Sequence, residues 1–256
     1  MTRPIELEDA WLSIGAVDKA VSVQQLTRDL RIKSVLEVGC GTGAVLAEII
    51  RRGIGSEYGA CEPSPELFAH ARARHYEADV DLRCGTFEGS AFNHRRWDLK
   101  VISHVVEHTP DPAALVVQVL AAARYVIVEV PIEGTRMGEL RSRLRQAITG
   151  RRRSDNAAGH IQFFSVLDVH RLIHWAGGRV LRTRTYFPAA TYRHMASAAG
   201  GWRRIYYDAW VIANRVLGPR LLTHLYYGHL AILAGQRSHD DDQGDPHPLF
   251  WHPSGP

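Results

Sequence analysis

The sequence predicts an α/β protein built on a mostly parallel sheet with helices on both faces. Two observations carry this. Short apolar runs, too brief for helices, alternate along the chain with longer stretches of helical periodicity, the pattern of strands joined by helical crossovers. One of those runs, Val35-Leu36-Glu37-Val38, ends in Gly39-Cys40-Gly41-Thr42-Gly43 before a helix-forming stretch from Ala44 to Ile50, which reads as a buried strand, a tight turn and a helix. Alternate glycines let the backbone bend sharply and come close to a ligand, and the helix start behind them offers unpaired N–H groups and the positive end of a dipole. An anionic or nucleotide-like group is expected there.

Ahead of that turn, residues 7 to 30 read as one or two amphipathic helices with Leu12, Ala16, Ala20, Val23 and Leu26 facing inward. After it, Glu57 to Cys61 is a second strand ending at Glu62. Ser64-Pro65-Glu66 then starts a helix, because Ser64 caps it and proline is tolerated in a first turn whose N–H groups have no helical partner. Val80 to Cys84 is a third strand, and a loop from Gly85 to Arg96 leads to a fourth, Trp97 to Ser103. Asp111-Pro112 opens the next helix in the same way, and Tyr125 to Val130 is a fifth strand closed by Pro131.

Residues 133 to 159 break the alternation with seven arginines, a helical piece and a polar Ser-Asp-Asn-Ala-Ala-Gly stretch, and read as an insertion. A helix opens at Ser165, presents Val169, Leu172, Ile173 and Ala176 on one face and ends at Gly177-Gly178; a sixth strand runs from Arg179 to Phe187. A second insertion, 188 to 224, holds a helical segment near 202 to 218, and a last strand fits His229 to Ala234. The expectation is one domain over residues 1 to 236, with the N-terminal helices in 1 to 30, and a disordered acidic tail over 237 to 256.

Hydrophobic residues at 45% and charged residues at 23% fit a soluble globular protein. No stretch reaches about eighteen apolar residues, and the acidic N-terminus lacks the pattern of a secretion signal, so a cytoplasmic protein without membrane insertion is expected. Cys40, Cys61 and Cys84 have no metal-type spacing and read as reduced thiols. The net charge is +4 even with four aspartates in the terminal stretch, and nearly all the basic residues are arginine. No nucleic-acid-binding module accompanies the charge, so the reading takes no nucleic-acid partner and lets the arginines favour an acidic small molecule.

The glycine turn by itself fits either a dinucleotide or another nucleoside. Glu62 ends the second strand 19 residues after Gly43, where a carboxylate can accept both ribose hydroxyls of a bound nucleoside. With it, the strings VLEVGCGTG, CEPSPELFAHAR, WDLKVISHVVEHTPDP, YVIVEVP and GHIQFFSVLDVHRLIHWAGGRVL resemble those of class I S-adenosylmethionine-dependent methyltransferases, in the group that includes the ubiquinone-biosynthesis O-methyltransferases. The resemblance covers roughly residues 30 to 187. It implies a doubly wound, Rossmann-like sheet of seven strands with an antiparallel last strand near 228 to 235. It also implies S-adenosylmethionine as cofactor, with S-adenosylhomocysteine as product. By the same resemblance Glu37, Gly39, Gly41 and Gly43 surround the methionine portion, Glu62 takes the ribose, and Ser103 ends the fourth strand beside the transferred methyl. Gly85 stands where such enzymes often have an acid for adenine, so Thr86, Phe87 and backbone groups are assigned that contact instead.

His104-Val105-Val106-Glu107-His108 follows the fourth strand at the sheet edge where ligands bind in open α/β folds. His108 and Glu107 could serve only to fasten the loop. Alternatively His104 or His108 is a general base, which the near-neutral pKa of imidazole suits, and His160 in Gly159-His160-Ile161 joins them at the rim or fastens its own loop. Some ubiquinone-pathway relatives hold a metal on Glu-x-x-Glu-His here; His104 replaces the first glutamate, and the site is read without a metal. The two insertions are expected to form the acceptor pocket and its cover, with Tyr186, Phe187, Tyr192, Trp202, Tyr206 and Tyr207 as possible walls. The expected activity is methyl transfer to an oxygen or nitrogen of a small anionic molecule, such as a secondary metabolite, phosphonate or sugar derivative. Two rivals stand beside it: a nicotinamide-dependent oxidoreductase, which would share the turn and Glu62, and a non-catalytic cofactor-binding partner subunit. Oligomeric state is open.

Overall fold

The computed structural model describes residues 5–150 and 159–236; the expected tail at 237–256 and Arg151, Arg152 and Arg153 of the first insertion lie outside them. Seven strands, β1 (Ser34–Val38), β2 (Glu57–Glu62), β3 (Val80–Cys84), β4 (Trp97–Ser103), β5 (Ala123–Ile132), β6 (Gly178–Tyr186) and β7 (Gly228–Gln236), form one sheet in the order β3-β2-β1-β4-β5-β7-β6. The first five pair in parallel, and β7 runs antiparallel to both β5 and β6. The expected seven strands and antiparallel last strand are both present.

Alternation along the buried strands gives the sheet two apolar faces. On one, Leu36 and Val38 pack with Trp97, Val116 and Leu172. On the other, Val35 packs with Leu46, Ile49 and the inward residues Ala16, Ala20, Val23 and Leu26 of α1 (Ile5–Thr27), which is one helix. Leu12, expected inward with them, is only half-buried. Short caps set the helix starts as the sequence requires. Ser64 accepts from the Leu67 N–H at the head of α3 (Pro65–Ala73), which follows α2 (Ala44–Arg51), and Asp111 accepts from the Ala114 N–H at the head of α4 (Pro112–Ala121).

Pro131 does not close β5 as expected. The strand continues to Ile132, with Pro131 opposite His229. Pairing of β5 with β4 ends at Glu129, and the flank that β4 leaves is next taken up only at Ile132, by a single bridge to Phe164, so Pro131 falls in a gap between partners where a missing N–H is tolerated. The first insertion forms α5 (Arg136–Thr149), capped by Thr135; α6 (Val166–Trp175) starts at a capping box of Ser165 and Asp168. The second insertion is two helices, α7 (Ala189–Ala198) and α8 (Gly201–Leu225). α8 is longer than the expected 202 to 218 because it bends at Gly218 (φ 76°, ψ 157°), before Pro219, and resumes.

Candidate active site

The strand order reverses between β1 and β4, and the crevice outside the carboxyl ends of strands at such a point is where open α/β sheets take ligands. Gly39, Gly41 and Gly43 all have positive φ in the turn that leaves β1. The Gly39 and Cys40 N–H groups donate to the Cys61 carbonyl, which ties the turn to β2. A Cβ on Gly41 would meet nothing within 4 Å, so this part of the turn offers bare backbone to open space. Gly43 is the helix-cap position of α2; a Cβ there would fall on the Tyr76 hydroxyl, and its φ of 75° already disfavours any side chain.

Glu62 is buried at the end of β2, where Oε2 accepts from the Gly41 N–H at 2.8 Å and Oε1 from the Ser64 N–H at 2.9 Å. The carboxylate is therefore fixed in orientation by the turn and by the start of α3, and each oxygen retains a second acceptor direction. Glu37, on β1, is buried with no hydrogen-bond partner at Oε2, and burial pushes its pKa up to about 8. Of the loop after β3, Thr86 is exposed and accepts from the Gly89 N–H. The Phe87 ring is 3% exposed and packs in the core, 4.4 Å below the Lys100 ammonium. Its side chain therefore does not face the crevice as expected, and only its backbone and Thr86 are available there.

Ser103, at the end of β4, begins a buried polar cluster. Its hydroxyl and that of Tyr186 both donate to Glu129 Oε1, at 3.3 and 2.8 Å. His104 takes φ 58°, the one positive value outside glycine among the described residues. Its Nε2 lies 2.9 Å from His229 Nδ1, and His229 Nε2 lies 3.1 Å from the Tyr227 hydroxyl. Burial, with nearby positive charge, holds both imidazoles well below their usual pKa and hence neutral. Glu107 is fully buried; His104 Nδ1 stands 3.2 Å from its Oε1, off the line of a hydrogen bond, and neither carboxylate oxygen has a hydrogen-bond partner. Burial raises its pKa.

The third expected histidine joins from a distance in sequence. The Ile161 and Gln162 N–H groups donate to the Glu107 carbonyl, which brings His160 to 5.0 Å, ring centre to ring centre, from His108. His108 Nδ1 contacts the Gly159 carbonyl at 3.2 Å, and His160 Nδ1 contacts Glu133 Oε2 at 2.7 Å. Burial opposes the charged form of His160, but the hydrogen bond and charge of Glu133 outweigh it and the pKa is raised. Glu133 also lines a cavity of about 260 Å³, with Arg141 and Arg145 of α5 and Tyr192, Tyr226 and Tyr227. Arg141 Nη1 donates to the Tyr226 hydroxyl at 2.6 Å. Of the other aromatic residues, Tyr207 packs on Tyr192, Tyr206 on Tyr207 and Phe187 on Tyr192, whereas Trp202 is exposed and walls nothing.

Two sets of three side chains hold donor atoms within 4.8 Å of one another, close enough for a metal ion: His104, Glu129 and His229, and Glu107, His108 and His160. In the first set the close approach of His104 to His229 is a hydrogen bond. Glu129, Glu133, Tyr227 and His229 join the expected residues in these contacts, and none is marked by a local motif. The one signal is that Glu129 and Glu133 flank the end of β5, at the same sheet edge as His104.

A family model described as a methyltransferase domain matches residues 17–200. The chain is 36% identical over 91 residues to the ubiquinone biosynthesis O-methyltransferase of Neisseria meningitidis serogroup C, a stretch that covers 34% of this chain and 38% of that protein. It is 37% identical over 93 residues to the protein of the same name from a Methylobacterium species, covering 36% of each. It thus spans little more than a third of these relatives' length. Among solved structures, the magnesium protoporphyrin IX methyltransferase of Synechocystis with bound SAH aligns over 93% of this chain and 90% of that one, with a TM-score of 0.58 and 12% identity, a likeness of fold.

Proposed function

We propose that this chain, which belongs to the methyltransferase-domain family, binds S-adenosylmethionine at the β1 turn and transfers its methyl group to an oxygen of a small anionic molecule. The observation that carries the reading is the coupling of Glu62 to the Gly41 backbone at the point where the strand order reverses. A nucleoside carboxylate receptor and a side-chain-free approach for the adjoining chain are thereby held in one rigid unit. The cofactor supplies an electrophilic methyl on its sulfonium. Glu62 accepts the ribose hydroxyls, Glu37 and the turn from Gly39 to Gly43 receive the methionine end, Thr86 and the Phe87 backbone border the adenine, and Ser103 sits at the methyl.

The acceptor lies in the cavity between the two insertions, where Arg141 and Arg145 offer planar, charged donors to a carboxylate or phosphate. His160 is the general base. Glu133 fixes the tautomer with the proton on Nδ1 and the lone pair on Nε2, and its charge stabilises the imidazolium that forms when the acceptor proton arrives. His108 packs against that ring and orients it, and His104 remains a neutral hydrogen-bonding member of the buried cluster. Holding donor and acceptor in reacting distance accounts for the larger part of the acceleration. Oxygen as the attacking atom follows the names of the relatives. Titration calorimetry with S-adenosylhomocysteine and with NAD tests the cofactor: tight binding of the first alone is expected, and binding of NAD alone would reverse the reading. Incubation of labelled cofactor with hydroxylated acids should then transfer label; no transfer to any acceptor would leave a cofactor-binding partner subunit instead.

The Glu107 carboxylate, buried without a hydrogen-bond partner, favours a second reading of the same histidines. With His108 and His160 it would hold a divalent ion, and one oxygen with two imidazole nitrogens suits zinc or manganese better than magnesium. Such an ion would supply Lewis acidity at the acceptor oxygen. Metal analysis of the purified protein and zinc titration of a Glu107→Gln variant decide it: stoichiometric metal, lost in the variant, is expected under this reading alone.

A further inference from the structure

We propose that α5 and α8 together form a surface that lies on an anionic lipid bilayer, with the acceptor cavity opening beside it. Met137, Leu140, Leu144 and Ile148 of α5 recur at helical spacing and are 53 to 81% exposed. On α8, Trp202, Ile205, Ile212 and Val216 share a face and are 58 to 77% exposed. The helices are neighbours, since Arg141 of α5 reaches the hydroxyls of Tyr206 on α8 and of Tyr226 just beyond it. A globular domain does not leave two adjoining helices with unpartnered stripes of large apolar residues unless something covers them.

Charge identifies the cover. α5 carries Arg136, Arg141, Arg143 and Arg145 against a single acid, Glu139, and the sequence continues from it into Arg151-Arg152-Arg153. α8 carries Arg203, Arg204, Arg215 and Arg220 against Asp208 alone. By helical spacing, Arg143 falls on one side of the α5 stripe and Arg145 on the other. A helix with apolar residues along one face and arginines at its margins lies in the headgroup region, its apolar side in the acyl boundary and its charges among phosphates. A second copy of the chain fits less well, because a two-fold contact would set these arginines against each other. No helix among the described residues is long and apolar enough to cross a membrane, so the contact is peripheral. The cavity is lined by Gly138, Arg141, Ser142 and Arg145 on the inner side of the same helix, so an acceptor with an acidic head and an apolar body would reach it past the lipid-facing stripe. The membrane contact stands independently of the methyl-transfer reading; the acceptor's character rests on that reading.

The test is flotation of the full chain with vesicles of phosphatidylcholine alone and with 30% phosphatidylglycerol, an amount chosen at about the anionic content that attracts basic segments. Binding to the anionic vesicles, at least tenfold weaker to the neutral ones and weakened by salt, is expected. Leu144→Glu with Ile148→Glu should cut binding at least tenfold while leaving the affinity for S-adenosylhomocysteine unchanged, which also reports an intact fold; Ile205→Glu on α8 serves if the first variant does not fold. Absence of vesicle binding, binding unmoved by these substitutions, or a lipid-free dimer that they dissociate would each overturn the proposal, the last in favour of a second copy. Failure of S-adenosylhomocysteine to bind would instead strike the cofactor reading and leave the vesicle result standing.

Discussion

Glu62 and His160 make opposite demands on their surroundings. Glu62 must stay fixed in orientation, and two backbone N–H groups hold it so. Glu62→Ala removes a charged acceptor and leaves the Gly41 N–H without its partner, so affinity for S-adenosylhomocysteine should fall about ten- to a hundredfold by calorimetry. As the proposed base, His160 must be neutral to accept a proton, yet Glu133 raises its pKa. The rate should therefore rise with pH as the ring deprotonates, and Glu133→Gln should move the inflection to lower pH while lowering the plateau kcat. A pH–rate profile that keeps its inflection in that variant would remove His160 from the base role. The glycine turn was legible in the sequence because it and its helix are local. His229 and Tyr227 were not, because they reach His104 only through the pairing of β7 with β5, some 125 residues away in sequence.

At the scale of elements, local punctuation explains what could be read. β3 and β4 have the bounds expected of them because turn residues delimit each, and α3 and α4 start where Ser64-Pro65 and Asp111-Pro112 require. β5 overran Pro131 because a proline ends a strand only where a neighbouring strand needs its N–H, and which flank lacks a neighbour at Pro131 is a fact of tertiary pairing. α8 overran for a similar reason: Gly218 breaks the helix while the chain beyond still packs, with Leu222 and Tyr226 buried. The φ and ψ of Gly218 lie in a region essentially reserved for glycine. Gly218→Ala should cost roughly 1–3 kcal/mol and lower the Tm by several degrees, whereas an alanine at exposed Arg215 in the same helix should be nearly neutral.

For the molecule as a whole, the crevice is assembled at a cost in stability. Glu37, Glu107 and Glu129 are buried carboxyls whose pKa values burial raises. In the cofactor-free fold Glu37 binds a proton up to about pH 8, while in the unfolded chain it releases it near 4.5. The folded state holds more protons across that window, so stability falls as pH rises from about 4.5 to about 8. Glu37→Gln should raise the Tm of the cofactor-free protein, by more at pH 8.5 than at pH 5, and flatten its decline with pH. An equal gain at both pH values would show that Glu37 is ionised throughout. These buried carboxyls, Glu107 with neither oxygen hydrogen-bonded, are retained against this cost at the sheet edge where the proposed chemistry occurs.

The placement of β7 between β5 and β6 has a bearing on the order of events during synthesis. β6 cannot join the sheet when it leaves the ribosome, because its neighbour is translated some forty residues later; until Gly228 to Gln236 arrives, β5 presents an open edge. The β1 turn and Glu62 are already in place by then, whereas His104 still lacks His229 and the cavity lacks Tyr226 and Tyr227. On the proposed reading a nascent chain thus acquires a receptor for the methyl donor well before it acquires a place for the acceptor. The proposed transfer would then await β7, which closes the sheet.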